Sequence, residues 1–357
     1  MKLTEIPVAG YEKVVRGHDA ASGLLAYISV HDTTLGPAVG GIRMWPYSSE
    51  EAAFADANRL ARTMTYKSAV ADTGLGGGKA VILGDPQRDK SPALLRAMGR
   101  FIAALGGLYI GAEDVGITAE DLVVVRQETR FVAGLPRHLG SSGNPAPFTA
   151  LGVFLGMQVC LEWQLHTRDM AGVRVAVQGC GSVAQHLCRH LHAAGARLIV
   201  TDIIAARAQR LAAQYGARLV APEAIYDVEC EIFAPCALGG VINDDTLPRL
   251  RCQIVAGCAN NPCLTPEHGE QLAARGILYA PDFVINAGGI LNISVELEPE
   301  GYREARALAK VQHVPEALRA VFALAREAGL SPARAALELA EQKLAAARRP
   351  PRAAHAP

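Results

Sequence analysis

The sequence has no excess charge of either sign, no paired-cysteine motif, no internal repeat and no long apolar run. Its 35 basic residues balance its 35 acidic ones, so nothing draws it to a polyanion, which would need clustered Lys and Arg. The one basic cluster, Arg348, Arg349 and Arg352 among prolines, reads as a flexible tail. No stretch comes near the roughly 20 apolar residues that cross a bilayer. The opening MKLTEIPVAG lacks the apolar core and small-residue cleavage site of an export signal. These absences favour a cytoplasmic protein with neither nucleic-acid nor membrane partners. Eight cysteines fall between Cys160 and Cys263, none as Cys-x-x-Cys, which favours free buried thiols over disulfides or zinc. His186, His190 and His192 share parts of one helical face, but no acid stands between the first two as in HExxH, so no metal is expected.

What is present is the composition of a globular protein, with 50% hydrophobic and 20% charged residues. A chain of 357 residues is long enough for roughly two domains. Leu24–His31 reads as a strand and Pro37–Met44 as a second extended segment. Ser48, with Glu51 three residues on, reads as the capped start of a helix reaching about Met64. Thr73–Lys79 is glycine-dense and reads as a loop before a short strand, Ala80–Leu83. Ser91–Leu105 and Ala119–Val125 read as helices. Ser141–Pro147 holds two prolines in three residues beside a glycine and marks a domain junction. Beyond it the rhythm becomes strand, helix, strand, helix over Arg174–Gln178, Val183–Ala194, Arg197–Thr201 and Ala205–Tyr215, which implies a parallel, helix-covered sheet. Val314–Ala346 reads as one alanine-rich helical stretch.

The apolar strand Val175–Gln178 runs straight into Gly179-Cys180-Gly181-Ser182-Val183-Ala184, a GxGxxA fingerprint between strand and helix. Gly179 permits the tight turn, Gly181 lets backbone approach a pyrophosphate, and Ala184 allows close helix–strand packing. The helix N-terminus then offers unpaired N–H groups to the phosphates. Asp202, about twenty residues on, can accept from both ribose hydroxyls and repels a 2′-phosphate, so NAD is favoured over NADP. The bland alternative is a tight packing turn with a helix-capping aspartate.

A hydride carrier needs a substrate, and three ionisable residues in the first half stand in unusual company. Lys79 follows Gly76-Gly77-Gly78; a lysine desolvated in a cleft loses its preference for the ammonium form and becomes a usable acid–base. Lys67, in Met64-Thr65-Tyr66-Lys67, can pair with a carboxylate. Asp114, in Gly111-Ala112-Glu113-Asp114-Val115-Gly116, lies at a strand-to-loop transition and is a candidate proton carrier. Singly, each is equally well a solvated lysine, a helix-end lysine and a capping aspartate.

These segments, with Gly36–Trp45, Gly140–Thr149, Ala234–Gly240 and Ala280–Gly289, resemble the glutamate/leucine/phenylalanine/valine dehydrogenase family, nearest to its leucine dehydrogenases. The likeness runs in order from about residue 10 to 345. It implies an α/β fold of two domains: a substrate-binding and oligomerisation domain over residues 1–147 and a Rossmann-type NAD-binding domain over 148–330. Residues 331–357 would form a C-terminal helix returning to the first domain, and a tail. It implies a homo-oligomer that oxidatively deaminates an L-amino acid with NAD and water, giving a 2-oxo acid, ammonia and NADH. By this resemblance Lys67 binds the substrate α-carboxylate, Lys79 holds the amino group and activates water, and Asp114 shuttles protons. Asn260 and Asn261 match a stretch near the substrate, with Asn260 also on the cofactor side. Pro145, Thr149 and the Cys236-Ala237-Leu238 loop match positions lining the nicotinamide.

Val39, Gly40, Met64, Ala112, Ile290 and Ile293 match the substrate pocket. Glutamate enzymes carry a lysine where Val39 stands and a serine where Ile293 stands. Burying a glutamate side-chain carboxylate against Val and Ile would cost several kcal/mol, so glutamate is disfavoured. Relative to leucine dehydrogenases the walls lose a methylene at Val39 and gain one at each of Ile290 and Ile293, which suits Leu, Val or Ile and crowds Phe or Trp. Asn260-Asn261, by contrast, resembles the aromatic-specific relatives and keeps phenylalanine or tryptophan as the alternative. A 2-hydroxy-acid dehydrogenase would need an Arg–His–acid set that is not found. A non-catalytic NAD-binding regulator would be expected to lack Lys79 or Asp114.

Overall fold

The protein is described by a computed structural model covering residues 1–348; Arg349 and Arg352 of the expected tail lie outside the described residues. Arg348 closes the last helix and pairs with Asp32, part of a fixed structure rather than a tail. Two compact units are formed. The first holds Met1–Asn144, Ile293–Arg303 and the described residues from 340 to 348, and the second holds Pro145–Asn292 and Glu304–Leu339. Residues 293–303, assigned by sequence to the second domain, thus belong to the first. There Glu296 accepts hydrogen bonds from Gly134 N (3.0 Å), Ser141 Oγ (2.6 Å) and Ser142 N (3.0 Å).

The first unit is built on a mixed sheet of β1 (Lys2–Glu5), β2 (Lys13–Asp19), β3 (Leu24–Asp32), β4 (Ala38–Trp45), β5 (Gly76–Leu83) and β6 (Tyr109–Glu113), in the order β1-β2-β3-β5-β4-β6. β4 runs parallel to β5 and β6, and the remaining pairs are antiparallel. Helix α1 (Glu50–Val70) covers one face; α2 (Pro92–Ala104) and α3 (Ala119–Val125) cover the other. Ser49, not Ser48, caps α1, its hydroxyl accepting from Ala52 N, and the helix runs six residues past Met64.

The period of two along a strand decides which side chains meet which helix. Ala38, Ile42, Met44, Ala80, Ile82 and Tyr109 point into the core shared with α2 and α3. Val39, Gly41 and Arg43 of β4, Gly77, Lys79 and Val81 of β5, and Ile110 and Ala112 of β6 fall on the α1 face. There Val81 packs with Ala53 and Ala57 of α1.

The glycine run is not a loop. Gly76–Lys79 is the first half of β5. A Cβ on Gly77 would stand 2.0 Å from the Thr65 backbone nitrogen of α1, and one on Gly78 would stand 2.8 Å from the Tyr109 ring. The glycines remove side chains where helix and sheet press together, which a count of glycines alone reads as looseness.

The second unit is a parallel six-stranded sheet of β7 (Arg174–Gln178), β8 (Arg197–Thr201), β9 (Arg218–Leu219), β10 (Ile232–Pro235), β11 (Ile254–Val255) and β12 (Leu278–Tyr279). Its order, β12-β11-β10-β7-β8-β9, reverses between β7 and β10, the switch point at which doubly wound sheets bind ligands. α4 (Ala146–Leu165), α5 (Ser182–Ala193) and α6 (Ala205–Tyr215) precede or link the first strands, and α7 (Pro266–Ala274) leads to β12. Contrary to the expectation of no such stretch, α4 is long and apolar enough to cross a membrane by length and composition. It is half buried here, packed on α5 and on a later helix, His313–Ala328. The single helical stretch expected at the C-terminus is broken: Gly329, at φ +64°, ends the first helix, and a second, Pro332–Arg348, follows.

Replacing Gly77 by Ala forces the helix–sheet contact apart. A loss of about 2 kcal/mol or more is expected in urea unfolding followed by circular dichroism. Gly181→Ala, where a Cβ meets open space, should unfold like the parent. Equal stability of Gly77→Ala and the parent would contradict the packing role.

Candidate active site

Lys79 sits on β5 facing α1, 5% exposed, and its ammonium donates to Asp114 Oδ2. Burial pushes the Lys79 ammonium below its ordinary range; Asp114 opposes that shift and Arg43 adds to it. Burial would raise the Asp114 carboxyl, but Lys79 and Arg43 together hold it down to about 2. The pair is a proton donor and acceptor in direct contact, away from bulk water.

Three backbone devices bring Asp114 there. Gly41 lies beneath it: a Cβ at Gly41 would stand 2.6 Å from Asp114 Cβ. The turn from Asp114 to Ile117 closes with Ile117 N donating to Asp114 O at 2.9 Å. Gly116 adopts φ +82° against Met44 O, a conformation and a fit that only glycine meets. Lys90 clamps the turn from outside, donating to Gly116 O (3.1 Å) and Asp121 Oδ2 (2.7 Å).

Arg43 was not singled out by sequence, yet it completes the cluster. Its Nε donates to Asp114 Oδ2 at 3.2 Å, and its Nη1 donates to Asp56 Oδ2 of α1 at 3.1 Å. Asp56 also accepts from Tyr47 Oη at 2.6 Å and Arg59 Nη2 at 2.6 Å. The available signal was a lone arginine inside an otherwise apolar strand, on the parity that faces Lys79.

The expected pocket residues of this unit are placed as follows. Val39 and Ala112 share the Lys79 face, and both are buried. Gly40 is on the opposite parity. Its carbonyl accepts from Tyr109 Oη at 2.6 Å, and a Cβ there would overlap Gly78 O at 1.8 Å, so it acts as a packing glycine. Met64 and Lys67 lie half-buried, three residues apart near the end of α1. Ile293 is buried in the same unit.

The second unit carries Ile290, Asn260, Asn261, Thr149 and the glycine loop. Gly179 takes φ +97°, and a Cβ there would stand 2.7 Å from Ala237 Cβ. Gly181, extended, faces open space and starts α5 without a side-chain cap. The first-turn N–H groups of Ser182 and Val183 are therefore left for an anion, and Ala184 is buried. Cys180 points inward: its N–H donates to Asp202 Oδ2 at 2.7 Å and its thiol is fully buried. Asp202 also receives Ile204 N at 2.7 Å, tying the end of β8 to the loop and leaving each carboxylate oxygen further acceptor capacity.

Around the switch point, Gly239 leaves no room for a Cβ beside Asn260 O and Asn261 O, each 2.7 Å away. Asn261 adopts φ +49°, and its N–H donates to Asp282 Oδ2 at 2.7 Å. Thr149 Oγ1 donates to Pro145 O at 3.2 Å beside Gly289. Asn286, another residue that sequence reading left without a role, donates to Asn260 Oδ1 at 2.9 Å and Cys258 O at 3.2 Å. Its own Oδ1 is buried with no protein partner. An uncapped helix start, an open glycine, an acid at the second strand and an unmet buried acceptor together fit a dinucleotide.

Residues 12–135 match the family model described as Glu/Leu/Phe/Val dehydrogenase, dimerisation domain. Residues 200–350 match that described as Glutamate/Leucine/Phenylalanine/Valine dehydrogenase. A leucine dehydrogenase of Thermoactinomyces intermedius is 52% identical over 334 residues, 94% of this chain and 91% of that protein. The crystal structure of L-tryptophan dehydrogenase from Nostoc punctiforme superposes with TM-score 0.81 at 44% identity, covering 95% of this chain and 97% of that one. A hetero-hexameric glutamate dehydrogenase from Thermus thermophilus gives TM-score 0.79 at 26% identity, covering 98% and 88%.

Arg43→Gln removes a cation that disfavours the Lys79 ammonium, so the Lys79 pKa should rise. Nuclear magnetic resonance of lysine-labelled protein checks this; an unmoved or lowered Lys79 titration would contradict the coupling.

Proposed function

The chain belongs to the glutamate/leucine/phenylalanine/valine dehydrogenase family of amino-acid dehydrogenases, and we propose that its substrate is a branched-chain L-amino acid (leucine, valine or isoleucine) oxidised with NAD. The observation that carries this reading is the buried Lys79–Asp114 pair on the sheet face it shares with Val39 and Ala112. The proton machinery there adjoins apolar side chains, with valine where a glutamate enzyme carries a lysine.

The family implies a nicotinamide cofactor; bound NAD supplies the hydride acceptor. NAD rather than NADP is supported by Asp202, whose carboxylate would repel a 2′-phosphate. Lys67 grips the α-carboxylate as a charged donor. Lys79, its ammonium form disfavoured by burial, holds the amino group in its neutral form while the α-carbon loses hydride. Neutral Lys79 then takes a proton from the water that adds to the resulting imine carbon. Asp114, ionised at rest, relays that proton from Lys79 to the nitrogen, and the carbinolamine collapses to 2-oxo acid and ammonia. The balance is amino acid, NAD and water giving 2-oxo acid, ammonium, NADH and one proton. Gly179, Gly181 and the start of α5 hold the pyrophosphate, and Asn260, Thr149 and the Cys236–Leu238 loop flank the nicotinamide.

The family model's description as a dimerisation domain supports a homo-oligomer. The eight free cysteines suit a reducing cytoplasm. A second reading, an aromatic amino acid as substrate, is favoured by Asn260-Asn261 and by the likeness to L-tryptophan dehydrogenase.

NADH formation with L-Leu, L-Val, L-Ile, L-Phe, L-Trp and L-Glu, each with NAD and NADP, tests the proposal. Branched aliphatics and NAD should lead; a lead by Phe or Trp would replace the substrate, and a lead by Glu would overturn the pocket argument. Lys79→Ala should lose turnover by about 10²-fold or more while still binding NADH. Retained turnover would sink the mechanism.

A further inference from the structure

Two cysteines meet at the switch point of the second unit. β10 and β11 pair in register, Ile232 with Ile254 and Phe233 with Val255. The backbone stays paired beyond the strands: Ala256 N donates to Phe233 O at 3.0 Å and Ala259 N to Pro235 O at 2.9 Å. Gly257 lies so close to Pro235 that a Cβ would stand 2.2 Å from the Pro235 oxygen. The second of these backbone bonds slips the register by one residue at Gly257 and is flanked by the two cysteines, Pro235 O immediately preceding Cys236 and Ala259 N immediately following Cys258. Their thiols are near enough for each to shift the other's ionisation. Neighbouring strand positions have the Cα separation a disulfide requires.

The other cysteines are poorer candidates. Cys160, Cys180, Cys188, Cys230 and Cys252 are buried, and burial pushes Cys180 up to about 12 and Cys252 to about 11. Cys263 is partly exposed but also pushed up to about 12 by its surroundings. Cys236 and Cys258 are partly exposed, and the Cys258 thiol holds Cys236 below its ordinary range. Thiolate character and access together select the attacking sulfur. The oxidation-sensitive site is therefore this pair rather than Cys180 in the phosphate loop.

We propose that Cys236 and Cys258 form a reversible disulfide by exchange with a low-molecular-weight disulfide, and that this bond weakens dinucleotide binding. Cys236 thiolate attacks one sulfur of the small disulfide, forming a mixed disulfide and releasing one small thiolate. Cys258, its proton lost to solvent, attacks the Cys236 sulfur and releases the second. Two protein thiols are oxidised, one small disulfide is reduced to two thiols, and a small dithiol reverses the exchange. The effect on binding follows from the neighbours. The next residue, Ala237, backs the glycine turn, its Cβ 2.7 Å from where a Gly179 Cβ would stand. Closing the sulfurs to about 2 Å draws the Cys236 loop toward β11, away from β7 and Gly179. This consequence rests on the proposed dinucleotide reading of that loop.

The experiment is to treat the full chain with glutathione disulfide and read two quantities. Peptide mass mapping should find Cys236 joined to Cys258, and NADH fluorescence titration should give a Kd raised about tenfold, the scale of one lost hydrogen bond. Dithiothreitol should reverse both. Cys258→Ser should give no internal cross-link and stop at a glutathione adduct on Cys236, and Cys263→Ser should respond as the parent does. Absence of the cross-link, or a cross-link with unchanged Kd, overturns the proposal. Failure of the reduced parent to bind NADH would instead remove the dinucleotide reading, and this inference with it.

Discussion

The ammonium of Lys79 is carried on the inner face of a sheet closed by a helix, and Asp114 is what makes its burial tolerable. A buried charge without its partner costs about 3–5 kcal/mol, so every element around the pair serves to bring the two together. Gly77 lets α1 settle on β5 beside Lys79, Gly41 leaves the space that the Asp114 side chain occupies, and Gly116 turns the chain back beneath it. Arg43 then shares the same carboxylate oxygen as Lys79. The acid stays ionised between two cations, while burial and Arg43 make the lysine's proton easier to lose. That asymmetry separates a proton-transfer device from an ordinary structural ion pair.

The second unit solves a different problem with the same economy of side chains. At the switch point, Gly179 and Gly239 clear space for neighbouring loops, and Asp202 ties the phosphate loop to the second strand. The loops that would hold a nicotinamide are thus in contact with one another. A covalent bond between two of them, Cys236 to Cys258, would act on the third through Ala237.

Much of this was legible in the sequence where a local rule carries a single meaning. Arg174–Gln178, Arg197–Thr201, Ala119–Val125 and Ala205–Tyr215 have the bounds that periodicity suggests, because apolar repeats and turn residues agree there. The glycine run before Lys79 misled because glycine marks both loose backbone and close packing, and only the tertiary partner, here Thr65, tells them apart. Ser48 and Ser49 are both able caps, and the choice between them depends on where α1 docks. Residues 293–303 join the first unit through Glu296, a long-range contact with no local signature. In the site, Lys79 and Asp114 stood out by their surroundings. Arg43 and Asn286 did not, since their partners lie far along the chain. Gly40 stood out, but parity turns it away from the face on which Gly41 makes room for Asp114.

The most direct test of a buried, burial-tuned Lys79 is the pH dependence of kcat for oxidative deamination of L-leucine, which reports groups in the enzyme–substrate complex. Burial lowers the Lys79 pKa, so its neutral, active form gains population at lower pH than a solvated lysine's would. The expected result is a kcat that rises with pH and levels off clearly below about 10.4, the value of an unperturbed lysine. The plateau should move to higher pH in Arg43→Gln. A kcat that keeps climbing past that value, or a profile indifferent to Arg43, would contradict the account.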